Sequence, residues 1–277
     1  MYIKFLDVVI NPQTLHIQPV AVVNYDTSQF LKHAIIPCVY IENKVFYELN
    51  DEEIDTMASK LVSKVLSMAR KNCQEIHIDC DWSKNTQKKY FYFIEKLKAI
   101  SQRNISATIR LHQIKYARQT GIPPVNDGVL MCYNMGVIQD VKEKNSIYRS
   151  SVLKKYTKNV AAYPVKLTIA LPIYAWNVVF RGDKFLYIYN NEISFAENIY
   201  FEKENENIYR CVRSTNLGNK PLLKGDRVRY ETASVAELKE AVQLFANTLE
   251  KPNFIFYHLN TQNLQTYEVF FDDCFAN

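Results

Sequence analysis

Glu75-Ile76-His77-Ile78-Asp79-Cys80-Asp81-Trp82-Ser83 is the stretch on which the fold of the whole chain turns. Successive side chains of a strand point to opposite faces. Ile76, Ile78 and Cys80 therefore share one side, and His77, Asp79 and Asp81 the other. Three polar groups on one face of an otherwise apolar strand are costly to bury without partners. A structural ion pair would account for them. Acid–base chemistry is the stronger explanation, because two carboxylates this close push one pKa upward.

Similar apolar runs recur at residues 2–10, 20–24, 34–41, 105–113, 129–135, 167–174 and 254–260. Runs rich in Val, Ile and aromatics with few polar interruptions are the habit of strands buried on both faces of a parallel sheet. Amphipathic segments separate them. Asn50-Asp51-Glu52-Glu53 supplies a cap and N-terminal acids for a helix carrying Ile54, Met57, Leu61, Val65 and Met68. Residues 86–99, 146–160 and 234–249 read as further helices, the last opening on the capping box Ser234…Glu237. Strand and helix alternating at this spacing predict βαβ units. A doubly wound sheet and a closed barrel both satisfy that pattern. Run 20–24 follows 2–10 too closely for a helical crossover and is expected to be a hairpin partner or an extension.

Seven main strands remain. The expected fold is α/β, a (β/α)8 TIM-like barrel whose first strand lies before Met1 or is absent. Between Trp176 and Lys251 the spacing is far longer than a crossover needs, and short strand-like runs with turns at Asn190–Asn191 and 204–207 fall there. A small β-rich insertion at about 177–233, after the seventh strand, is expected within a single domain spanning 1–277. That length suits a barrel, which typically takes about 250 residues.

Composition removes several function classes. The net charge of +5 comes from Lys residues spread along the chain, without the basic stripe of a nucleic-acid protein. The 6 Cys have no CxxC spacing, so neither a zinc site nor a disulfide framework is indicated. His33, His77, His112 and His258 are not at metal-ligand spacing. With 6 Gly there is no phosphate-cradling loop, and no G-x-S-x-G elbow. No cofactor or metal is expected. No apolar run reaches the roughly 18 residues of a membrane span. Met1 leads directly into a run containing Lys4 and Asp7, so the chain as written reads as cytoplasmic, and exported if an upstream signal has been removed. Nothing specifies an oligomer.

Barrel sites lie at the C-terminal ends of strands. There, Thr108-Ile-Arg-Leu-His-Gln113 places Arg110 and His112 on one face, with Arg110 the natural partner of Asp79. His112 reads equally as a hydrogen-bonded scaffold residue over the same mouth.

Ile78-Asp-Cys-Asp-Trp-Ser83 resembles the fourth-strand signature of family 18 glycoside hydrolases, Asp-x-x-Asp-x-Asp-x-Glu. Met131-Cys-Tyr-Asn-Met135 resembles that family's sixth strand, usually Met-x-Tyr-Asp, and Leu171-Pro-Ile-Tyr-Ala-Trp176 its seventh. Phe254-Ile-Phe-Tyr-His-Leu-Asn260 would be the eighth, and many family members carry an α+β insertion after the seventh strand. The likeness runs through most of the chain in order, and the same strands resemble uncharacterised barrel proteins of bacteria.

The departures bear on function. Ser83 stands where the family keeps its catalytic Glu, Ile76 where it keeps its first Asp, and Asn134 where it keeps the strand-six Asp. In the family that Glu protonates the glycosidic oxygen, while the substrate's own acetamido group is the nucleophile. A serine hydroxyl has no proton of suitable pKa for this step, so chitinase activity is not expected. The resemblance implies a glycoside hydrolase-like barrel taking a glycan or other small polar ligand at its mouth. If it is a hydrolase, the acid comes from Asp79, Asp81, Glu231 or Glu42. If it binds without cleaving, Trp82, Tyr133, Tyr174 and Trp176 are the stacking surfaces, and Arg110, His112, Asn134, His258 and Asp81 the polar contacts. A scaffold with a vestigial mouth is the third alternative, and a metal-dependent deacetylase built on Asp-x-Asp a weaker fourth.

Overall fold

Phe5, Leu6 and Val8 are buried along the first strand, β1 (Tyr2–Ile10), of the computed structural model, which describes residues 1–24, 34–69, 73–190, 193, 195 and 198–275. His33 and Asn191 lie outside the described residues. Two compact units divide the chain: Met1–Met131 with Asn159–Thr168, and Cys132–Lys158 with Ile169–Asn277.

In the first unit β1 pairs antiparallel with β2 (Ile17–Val20) and parallel with β3 (Ile36–Ile41). The hairpin partner of β1 is therefore 17–20, and of the expected run 20–24 only Val20 takes part. Next come α1 (Val45–Glu48), α2 (Asp51–Met68), β4 (Glu75–Asp79), α3 (Gln87–Ser101), β5 (Asn104–Arg110), α4 (Leu111–Lys115), α5 (Ala117–Thr120) and β6 (Asp127–Met131). β3, β4, β5 and β6 join in parallel, with Cys38 opposite His77, Ile76 opposite Ile105 and Ala107 opposite Gly128. The strand order in this unit is β2-β1-β3-β4-β5-β6. Ile54, Leu61 and Val65 of α2 and Tyr90, Phe93 and Leu97 of α3 are the buried stripes.

The chain leaves β5 earlier than its apolar pattern predicts. The Gln113 side chain accepts a hydrogen bond from the Arg110 backbone N–H at 2.7 Å, which caps α4 and turns Leu111-His112-Gln113 into helix. β7 (Lys166–Pro172) begins in this unit, its Lys166 N–H bonded to the Asn126 carbonyl at 3.1 Å, and ends in the second.

In the second unit α6 covers only Ser150–Tyr156 of the expected 146–160; the 3-10 helix that follows (Thr157–Ala162) starts in this unit and ends in the first. The insertion starts at β8 (Ala175–Arg181) and continues through β9 (Lys184–Tyr189), β10 (Phe201–Lys203), β11 (Ile208–Cys211), β12 (Thr215–Leu217), β13 (Lys220–Leu222) and β14 (Arg227–Thr232). Five of these strands form one antiparallel sheet in the order β10-β11-β14-β8-β9. The tight turn between β8 and β9 needs the left-handed backbone of Gly182, at φ +58°. Val179, Phe201, Cys211, Leu217, Leu222 and Val228 form a core of the insertion's own. α7 (Val235–Ala246) opens on the expected capping box, and β15 (Asn253–Tyr257) and α8 (Thr261–Phe275) close the chain. No helix among the described residues is long and apolar enough to cross a membrane.

Candidate functional site

The residues singled out in the sequence fall into both units, Asp79, Asp81, Trp82, Arg110 and His112 in the first. There, His77 is buried between β4 and β5, its ring nitrogens 2.9 Å from Ser106 Oγ and 3.1 Å from Thr108 Oγ1. Burial pushes its pKa down to about 3, so the ring is neutral. Ser106 spends its own proton on Glu75 Oε1 at 2.5 Å. His77 Nδ1–H therefore donates to Ser106, while Nε2 faces Thr108 Oγ1, which also hydrogen-bonds the Asp79 side chain. The polar face of β4 begins as a satisfied structural network.

Asp79 and Asp81 diverge. Burial raises the Asp79 carboxyl above the usual range, against the opposing charge of Arg110. Its Oδ1 is buried with no hydrogen-bond partner among the described residues. Asp81, its side chain 51% exposed, is held by Arg110 in a bidentate pair, Nε to Oδ1 and Nη2 to Oδ2 at 2.7 Å. The expected Arg110–Asp79 bond is thus made with Asp81 instead, because Asp81 lies past the end of the strand, where a long side chain from the end of β5 can meet it squarely. His112 sits exposed on α4, its pKa lowered by partial burial and by the charge of Arg110.

Trp82 does not offer a stacking surface. It is 2% exposed, donates from Nε1 to the Thr120 carbonyl at 2.9 Å and stacks on Tyr90 at 5.2 Å. Ser83, at the family's acid position, lies 3.2 Å from both Tyr47 OH and Thr86 Oγ1, while Thr86 accepts from the Ser83 backbone N–H at 2.9 Å. This serine orders the turn into α3.

In the second unit Tyr174, Trp176, Asn134 and His258 share the wall of a pocket of about 620 Å³, within the range of ligand clefts. Tyr174 donates from its hydroxyl to Asn134 Oδ1 at 2.8 Å and meets the rings of Trp176 at 5.5 Å, Tyr257 at 5.6 Å and His258 at 5.9 Å. Asn134 takes a left-handed φ of +54°, a conformation Asn tolerates better than most residues. Tyr133 is buried and supports the wall, stacked on Tyr257 at 5.2 Å. The sequence missed Tyr257 and the amides Asn260, Gln262 and Asn263 at the start of α8, which also line the pocket; their one signal was position, at the end of an apolar run. The lining combines aromatic rings with amides and hydroxyls, and no Asp, Glu, Lys or Arg is among the described residues lining it.

Glu231 is buried and fully bonded. It is 1% exposed, and its Oε2 accepts from the Ser146 N–H at 3.0 Å, the Ser146 hydroxyl and Trp176 Nε1–H at 2.7 Å. Its Oε1 accepts from Arg229 Nε. Four donors thus occupy its two oxygens. Among the described residues no three His, Cys, Asp or Glu side chains are grouped to hold a metal ion.

No family model matches the chain, and no curated protein matches its sequence. Among solved structures it is similar to the Bacillus cereus spore cortex-lytic enzyme SleL, 13% identical over 98% of this chain and 67% of that one, at a TM-score of 0.58. It is also similar to a chitinase from Chromobacterium violaceum, 10% identical over 97% of this chain and 90% of that one, at a TM-score of 0.57. At such identities the likeness speaks for the fold: an α/β chain of the (β/α)8 TIM-barrel type found in glycosidases, with a β-rich insertion after the seventh strand.

Proposed function

We propose that this chain binds an uncharged glycan in the Tyr174–Trp176–Tyr257 pocket and does not cleave it by chitinase chemistry. The observation that carries this reading is the lining: rings for the apolar faces of sugars, amides and hydroxyls for their hydroxyl groups, and no charged carboxylate or ammonium among the described lining residues. Rigid aromatic walls with a few placed polar groups are how small polar ligands are oriented. The absence of an acid at Ser83 and the saturation of Glu231 support binding over hydrolysis. Two of the solved structures it resembles are a chitinase and a cortex-lytic enzyme, which favours a glycan over other polar ligands. Tyr174, Trp176, Asn134 and His258 would contact the sugar, with Tyr133 acting from behind Tyr257.

Calorimetric titration with tetra-N-acetylchitotetraose, cellotetraose and their charged counterparts tests this. One neutral oligosaccharide should bind, at least tenfold more weakly (about 1.4 kcal/mol) in Tyr257→Ala, and without new reducing ends on prolonged incubation. Release of reducing ends would overturn the non-hydrolytic reading, and silence with every sugar the glycan reading itself.

A further inference from the structure

We propose that Glu231 is a positioning residue that fixes the Trp176 indole as one wall of the pocket. The effect on affinity rests on the glycan-binding reading; the placement of the indole does not.

Antiparallel pairing of β14 with β8 sets Glu231 opposite Trp176. Side chains directly opposite in such a pair lie about 5 Å apart, which lets a carboxylate reach the neighbouring indole N–H. Arg229 anchors the other carboxylate oxygen. Its remaining donors bind the Asp140 carbonyl at 2.8 Å and the Ile138 carbonyl at 3.0 Å, and its guanidinium lies 4.9 Å over Phe180. Arg229 and Ser146 already compensate the buried charge. The bond to Trp176 adds something they do not need: it selects one orientation of a ring with a single N–H. That ring then meets Tyr174, and Tyr174 meets Asn134 and Tyr257. A buried ion pair of the insertion thereby holds a row of rings that face the pocket. Rotamers locked by such supporting bonds are what keep a binding site in productive geometry.

The chain has 2 Trp, which makes the test direct. The two indole N–H signals in a nitrogen–proton spectrum are assigned with Trp176→Phe. In the wild-type protein the Trp176 signal should be protected from exchange. Glu231→Gln should displace that signal, leave the Trp82 signal in place, and weaken the neutral tetrasaccharide about tenfold. Ser146→Ala removes a donor to the same carboxylate without touching Trp176. It should lower the melting temperature while keeping the indole signal and the affinity. A folded Glu231→Gln protein with an unmoved Trp176 signal would overturn the proposal. So would free exchange of the Trp176 indole in the wild-type protein, which decides the matter if the Gln variant does not fold. A displaced indole in a protein that binds no sugar would uphold the placement and remove the glycan reading alone.

Discussion

His77 shows how a polar residue on a buried strand becomes a pH-dependent liability. Its ring is neutral when folded, with a pKa of about 3 against an ordinary 6.5, because burial disfavours the charged form. In the unfolded chain it takes up a proton near 6.5. Between these values the unfolded state binds more protons, so stability falls as pH drops from about 6.5 toward 3, by up to ~1.4 kcal/mol per pH unit. His77→Gln keeps a donor and an acceptor for Ser106 and Thr108 but cannot titrate. From pH 7 to pH 5 the wild-type protein should lose about 2 kcal/mol more than this variant in urea denaturation. Parallel losses would show that His77 carries no such linkage. The alternation 75–83 located His77, Asp79 and Asp81 on one face, yet the sequence could not say which carboxylate Arg110 takes. Both Asp residues lie within its reach, and the choice depends on where β4 ends. For the same reason Trp82 looked like a sugar platform: its partner, the Thr120 carbonyl, is supplied by the end of α5, 38 residues away.

At the scale of elements, signals contained within one turn of chain were legible and those needing distant partners were not. Asn50 Oδ1 accepts from the Glu53 N–H at 3.0 Å and Glu53 Oε2 from the Asn50 N–H at 2.9 Å, a capping box written in four consecutive residues. Ser234 and Glu237 repeat it before α7. Asn50→Ala leaves the Glu53 N–H unpaired at the start of an 18-residue helix. It should cost about 1 kcal/mol, read as a melting temperature lower by roughly 2–4 °C, and an unchanged melt would mean the cap contributes nothing. The end of β5 was not legible, because Leu111-His112-Gln113 continues the strand's alternation until Gln113 folds back on Arg110. The bonding of Glu231 was not legible for a kindred reason. Its neighbours in sequence suggest an open loop, while Ser146 and Trp176, far away along the chain, fill its oxygens.

For the whole molecule, chain order makes cooperativity the expectation. Each unit is assembled from two separated segments, and β7 (Lys166–Pro172) gives its first three residues to one unit and its last four to the other. Neither unit can be cut out as one continuous piece of chain. We therefore propose that 1–277 is a single folding domain, as its length and its likeness to TIM-barrel structures favour. Each unit contains one tryptophan, Trp82 in the first and Trp176 in the second, so one sample reports on both. In a urea titration followed through the two indole N–H signals, both should vanish at the same denaturant concentration, since coincident transitions from different probes mark two-state unfolding. Asn50→Ala, although it lies in the first unit, should then move both midpoints together. Loss of the Trp82 signal alone in that variant, with Trp176 unmoved, would divide the chain into two domains and overturn the single-domain proposal.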